Sequence, residues 1–211
     1  MKKINLEELK SDIRMDIGLS HTVLLDGENM DAIYELEEFT TVTVRLVGTK
    51  DLSDEEIGHI IFTKIPSSLK GTNPDLSMGE MMDDENEDLG FVASMLNLFD
   101  YYEYDEDKNE YEEEKILKKK LKTSDLYYVD KIVIDKKYRG YGFGETMILQ
   151  LPNIIKTIFN EKDAIMTLRA YPIEKKKFSD ETINKYQRRL FKFYKKCGWK
   201  NVGGNVFLNI A

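Results

Sequence analysis

The stretch IDKKYRGYGFGETMILQL, residues 134–151, sets three glycines within five positions, between an apolar strand-like run and an amphipathic helix-like one. A strand that turns sharply into a helix leaves the first backbone N–H groups of that helix unpaired. Glycines there let an anion approach the main chain, and the helix dipole favours negative charge. The physical expectation is a phosphate or diphosphate cradle. Spacing separates the loops that could provide one. A dinucleotide fingerprint, G-x-G-x-x-G, would put its third glycine at Glu145. A kinase loop needs one more residue after Gly142 and leads into a strand. A Walker A loop would end in G-K-[ST], where this chain has Gly144, Glu145 and Thr146. All three fail, and what remains is R-x-x-G-x-G at Arg139, Gly142 and Gly144.

Outward from this loop, the C-terminal third reads as alternating elements. LYYVDKIVI (126–134) is a strand, and the helix after the glycines runs to about Phe159. AIMTLRAY (164–171) is a second strand, INKYQRRLFKFYKKC (183–197) a basic helix ending at Gly198, and NVFLNI (205–210) a closing strand. Strand, helix, strand, helix, strand implies an α/β layer with some parallel pairing. Pro152 falls inside the first helix and is expected to kink or split it. Towards the N-terminus, FTTVTVRLV (39–47) alternates as a half-buried strand and IGHIIFTKI (57–65) is another. TVLLD (22–26) and AIYELEE (32–38) are candidate strands, residues 5–14 a short charged helix, and SSLKGTNPD (67–75) a loop. LGFVASMLNLF can make an apolar helical face, YEEEKILKKKLK reads as a helix, and the charged run between them cannot build a core. The run from Asp83 to Glu114 is read as a solvated insertion, with Met78, Met81, Met82 and Met95 as helix-face packing.

The chain has 211 residues, 41% hydrophobic and 33% charged, with a net charge of −8. That is enough length for one domain with a real core. The expected organisation is a single domain over 1–211, with 67–122 as an acidic insertion and 126–211 as its most readable part. The charge is uneven. From Asp75 to Glu114 there are sixteen acidic residues and one lysine; from Lys115 onwards there are twenty-two Lys and Arg against nine Asp and Glu. A basic C-terminal half suits an anionic ligand, and the acidic N-terminal half suits a cationic one. The overall acidic balance argues against generic nucleic-acid binding. No apolar run approaches a membrane span, and the first residues lack the apolar core of a signal peptide. One cysteine, Cys197, excludes an internal disulfide and fits a reducing compartment, so cytoplasm is expected. The calcium-loop pattern at Asp105, Asp107 and Asn109 fails at Glu110 and Ile116. His21, His59 and Cys197 lack metal-ligand spacing, so no metal is expected.

The stretch VIDKKYRGYGFG, followed some fifty residues later by FKFYKKCGWK (191–200), resembles the GNAT superfamily of acetyl-CoA-dependent N-acetyltransferases. The likeness covers Leu126 to Ala211. It implies an α/β (α+β) fold with a mixed central sheet and flanking helices, and transfer of an acetyl group from acetyl-CoA to a primary amine. It also implies that the amides of Arg139, Gly140, Tyr141, Gly142, Phe143, Gly144 and Glu145 hold the coenzyme's diphosphate. The edge of Ile132, Val133 and Ile134 would pair with the pantetheine arm as an added strand, where the sheet splays open before AIMTLRAY. The N–H of Ile134 would polarise the thioester carbonyl, and Gln187, in place of the family's usual asparagine, would bond the pantetheine. Leu190 stands where an alanine is usual.

By the same resemblance Tyr194 is the acid for the leaving thiolate; its bland reading is a core aromatic beside Phe191, Phe193 and Trp199. Asp130 is the first choice of base, because a spacing of four along a strand puts it on the same side as Ile134; its bland reading is a strand-end charge. Tyr128, His59 and a water chain are further candidates for the base. The acceptor is expected to be cationic, a small molecule or a protein amine. The alternative is a protein that binds an acyl-CoA without chemistry and serves as an interaction or regulatory module. A homodimer is compatible with either.

Overall fold

A computed structural model describes residues 13–21, 39–48, 55–67, 78–85, 87–96, 98, 120, 124–172 and 179–211. The candidate strands at 22–26 and 32–38, the charged run at 99–119 and most of the 67–75 loop lie outside the described residues. Among the described residues seven strands form one sheet: β1 (Ile13–His21), β2 (Thr40–Gly48), β3 (Glu56–Ile65), β4 (Leu126–Ile134), β5 (Ile165–Arg169), β6 (Lys200–Gly203) and β7 (Val206–Ile210). Their order is β1-β2-β3-β4-β5-β7-β6. The helices are α1 (Met78–Glu85), α2 (Glu87–Met95), α3 (Phe143–Phe159) and α4 (Asp180–Lys196), with a 3-10 turn at Lys136–Tyr138. The fold is therefore α/β with a mixed sheet: β4 and β5 run parallel, while β1 to β4 form an antiparallel meander. Among the described residues no helix is long and apolar enough to cross a membrane.

The sheet is covered on both faces. On one side α3 and α4 bring Met147, Leu151, Ile155, Tyr194 and Trp199 against Val42, Phe62, Tyr127, Val129, Met166 and Phe207. On the other, α1 and α2 bring Met82, Leu89, Val92 and Ala93 against Ile65, Leu126, Tyr128, Ile165 and Val206. Alternating residues of β4, β5 and β7 thus feed opposite cores, the period-2 pattern of strands buried on both faces. The solvated reading of 83–114 needs correction over its first part. Leu89, Val92 and Ala93 are almost wholly buried, because the apolar face of LGFVASM needs a partner and the sheet provides one. Gly90 allows the tight α1–α2 corner, where a Cβ would meet the Asp83 carboxylate.

Two further expectations change. Residues 13 and 14, read as the end of a helix, belong to β1, which pairs with β2 from Ile13↔Gly48 to His21↔Thr40. Pro152 does not split α3, which runs through it for 17 residues. A proline removes one rung of the ladder, but Ile148, Leu151, Ile154 and Ile155 on either side are buried, and tertiary burial outweighs local propensity.

Candidate functional site

The site begins where β4 loses a neighbour. On its β3 side β4 is paired along nearly all its length, from Leu126↔Ile65 to Ile134↔Gly58. On its β5 side the pairing covers Leu126 to Val129 against Ile165 to Leu168 and goes no further. Among the described residues, Asp130 to Ile134 therefore have no strand on that edge. The cause is local: β5 is five residues long, and β4 carries an irregularity at the same level. The β3 register runs Phe62↔Val129 and then Ile61↔Lys131, so Asp130 is an extra, unpaired residue. Such a bulge bends a strand and strengthens its twist.

The bulge also reverses which face later residues occupy. Tyr127 and Val129 belong to the α3/α4 core, and beyond Asp130 it is Ile132 and Ile134 that pack against that core. The expectation that Asp130 and Ile134 share a side therefore no longer follows from their spacing. Ile134 faces α3, with its Cγ1 3.6 Å from where a Cβ on Gly144 would stand. Asp130 lies within electrostatic reach of Asp88 of α2 and of Tyr128. A count of four assumed an unbroken pleat.

At the end of β4 the main chain alternates in a useful way. Asp135 N donates to Ile57 O on the β3 side at 2.9 Å, so the peptide groups of Ile134 turn to the other, open edge. The Ile134 carbonyl accepts from Arg139 Nε at 2.9 Å, which ties the loop to the strand; the Ile134 N–H faces the same open edge. Asp135 then accepts from Lys137 N and starts the 3-10 turn, and Glu55 accepts from both Lys137 and the Tyr138 hydroxyl. The turn delivers the chain to Gly140 and Gly142, both at φ +86°. That left-handed conformation is costly for any residue with a Cβ. Among the described residues, chain neighbours aside, nothing lies within 4 Å of a Cβ placed on either glycine, so the requirement is conformational.

Gly142 is the N-cap of α3 and supplies no side-chain hydrogen bond. The first bond of the helix runs from Thr146 N to Gly142 O at 2.9 Å, so the amides of Phe143, Gly144 and Glu145 are not used within the helix. Phe143 itself is buried against Tyr138, which fixes the direction of this helix start. Tyr141 borders a cavity of about 180 Å³ between α3 and the β1–β2 edge, lined also by Leu46, Phe143 and Met147.

Tyr194 lies on α4, 8% exposed, against Phe193, Trp199 and Phe207 with ring centroids 5.2, 6.2 and 5.6 Å away. Burial, with a smaller contribution from Cys197, pushes its phenol far above the usual value, so it holds its proton throughout the physiological range. Tyr128 is raised as well, by burial first and then by Asp88 and Asp130, with Arg169 opposing and Tyr194 adding. Asp130 is exposed yet raised, by partial desolvation and by Asp88, against the pull of Lys131. Tyr128 thus feels both Asp130 and Tyr194. His59 does not join them: it pairs through Nδ1 with Glu56 Oε1 at 2.6 Å on β3. Gln187 is half-buried on α4. Among the described residues no cluster of His, Cys, Asp and Glu could hold a metal.

Sequence reasoning passed over Asp88, Arg169 and Lys196. Arg169, at the end of β5, pairs with Asp88 and lies 4.1 Å from the Phe91 ring centroid. Lys196 Nζ contacts Glu145 Oε2 at 2.7 Å. These are contacts between distant parts of the chain, and no short motif encodes them.

No protein-family model and no curated protein matches this chain. Among solved structures, that of Arabidopsis thaliana NAA60 in complex with acetyl-CoA aligns over 81% of this chain and 75% of its own, at 14% identity and a TM-score of 0.37, a likeness too slight to build on.

Proposed function

We propose that this chain is an N-acetyltransferase that moves an acetyl group from acetyl-CoA to a primary amine. The observation that carries this reading is the unpaired edge of β4 from Asp130 to Ile134, running directly into two left-handed glycines and the uncapped start of α3. A thioester carrier with a diphosphate and an amide-bearing arm matches both parts. The diphosphate lies on the amides between Arg139 and Glu145, where a helix start favours an anion. The arm adds to the edge at Ile132, Val133 and Ile134 as a further strand, and Gln187 bonds it from α4.

The chemistry follows from which face each group occupies. The carrier comes from the α3/α4 side and its thioester reaches the opening, where the Ile134 N–H bonds the carbonyl oxygen as negative charge develops. The acceptor comes from the α2 side, where Tyr128 and Asp88 lie, with Asp130 at the bulge beside the opening. Asp130, raised above an ordinary carboxylate, takes the proton of the attacking amine. The nitrogen forms its bond to the carbonyl carbon, the C–S bond breaks, and the departing thiolate takes a proton from Tyr194; solvent then returns a proton to the phenolate and removes one from Asp130. The carboxylates on the acceptor side favour a cationic amine, on a small molecule or a protein. The whole chain acts as one domain, its α1 and α2 forming the acceptor-side wall.

Calorimetry with coenzyme A and acetyl-CoA, followed by thiol release across a panel of amines, tests this. Binding of both carriers and turnover with at least one cationic amine is expected. Binding without turnover on any amine would favour an acyl-CoA-binding protein without chemistry. Absence of heat with either carrier would remove the reading altogether.

A further inference from the structure

Glu145 is an unexpected residue at a helix start proposed to hold a diphosphate. It occupies the third position of α3, and its carboxylate, 34% exposed, is held by Lys196 Nζ at 2.7 Å. Lys196 is the last residue of α4 and its side chain is 67% exposed. Just beneath the pair the two helices touch, where a Cβ on Gly144 would lie 3.9 Å from Phe193 Cζ. The ion pair therefore spans the gap between the start of α3 and the end of α4, beside the free amides of Phe143 to Glu145.

A carboxylate in the first turn is itself favoured by the helix dipole, so Glu145 competes for the field that would hold an incoming anion. Lys196 is the cation that now balances it. A lysine ammonium is a compact charge on a flexible stem and binds phosphate well as a point charge. Exposure leaves it free to turn away from Glu145. We propose that Lys196 is a further cofactor-binding residue that exchanges its bond with Glu145 for a phosphate of the carrier; this rests on the coenzyme reading above. Glu145 is its resting partner, and it works against binding. The exchange is favourable because the diphosphate carries a negative charge on each of its phosphates, against the single charge of the carboxylate that it replaces.

The alternative role is a plain strut between α3 and α4, and the two roles predict opposite patterns. For a strut, Lys196→Met and Glu145→Gln remove the same contact and shift carrier affinity in the same direction. For the exchange, they move it in opposite directions. Calorimetry with coenzyme A should give a Kd raised about fivefold in Lys196→Met and lowered about twofold in Glu145→Gln, as expected for one charge at a helix start. Lys196→Met should also flatten the dependence of Kd on salt, through the loss of one cation–phosphate contact. Changes of the same sign in both variants, or none in either while the unmodified protein binds, would overturn the proposal. Absence of binding by the unmodified protein would instead remove the coenzyme reading and this inference with it.

Discussion

Replacing Gly142 by alanine tests the loop most directly. Gly142 adopts φ +86° and ψ −2°, and nothing lies within 4 Å of the added Cβ. The cost is therefore conformational rather than a clash. An L-residue with a Cβ in the left-handed region is disfavoured by roughly 1–2 kcal/mol. The protein can meet this cost in two ways. If the loop keeps its shape, the strain appears as lost stability, read as a lower urea midpoint. If the loop relaxes to negative φ, the amides before α3 turn away, and the loss appears as weaker binding of coenzyme A. At 1.4 kcal/mol per factor of ten, the whole cost placed on binding is about five- to thirtyfold in Kd. Urea unfolding and calorimetry on the same preparation should together account for roughly 1–2 kcal/mol. Gly142→Asn, a residue that tolerates the left-handed region, should recover part of it. If Gly142→Ala left both the midpoint and Kd unchanged, the φ-based reasoning would be wrong.

Three other outcomes are expected. Tyr194→Phe keeps the ring among Phe193, Trp199 and Phe207, so carrier affinity and folding should hold while turnover drops on the order of a hundredfold; unchanged turnover removes Tyr194 as the acid. Gly58→Ala would put a Cβ 2.4 Å from the Val133 carbonyl oxygen and 2.7 Å from Ile134 Cδ1, and should cost about 1–3 kcal/mol in urea unfolding as β3 is forced off β4. Asp125 is partly buried, which alone would raise its pKa, but bonds from Lys64 Nζ at 2.8 Å and Ser67 N at 2.8 Å outweigh this and hold it low. A depressed folded pKa contributes stability that is fully present above the unfolded value and is lost as pH falls through the folded one. The stability gap between wild type and Asp125→Asn should therefore be full at neutral pH and close on acidification; a gap that widens in acid would contradict the assignment.

Much of the fold was legible where burial writes a period into the chain. β2 and β3 alternate, β4 and β5 are short apolar runs, and the glycine turn marks the start of α3. β1 was hidden because it is an edge strand: Arg14 and Asp16 pair along it, and Met15 and Ile17 are about half exposed, so its composition reads as charged surface. β6 escaped because four residues carry no period. The bulge at Asp130 was the costliest omission, since a single extra residue reverses the side-chain parity of everything after it. The spacing of four between Asp130 and Ile134 therefore no longer says that they share a face. The role of α2 was illegible for a different reason. Nothing in LGFVASM indicates which surface it covers, and the pairing of Asp88 with Arg169 crosses some eighty residues.

The proline in α3 has a consequence for how that helix comes apart. Pro152 carries no amide hydrogen, so the Ile148 carbonyl lacks its partner four residues on, and the ladder is interrupted near mid-helix. Phe143, Met147, Ile148 and Leu151 hold the earlier turns in the core, and Ile154 and Ile155 the later ones. Each half thus keeps its own contacts, and the interruption lets the two open as separate units. Amide exchange should show this as a step in protection across residue 152.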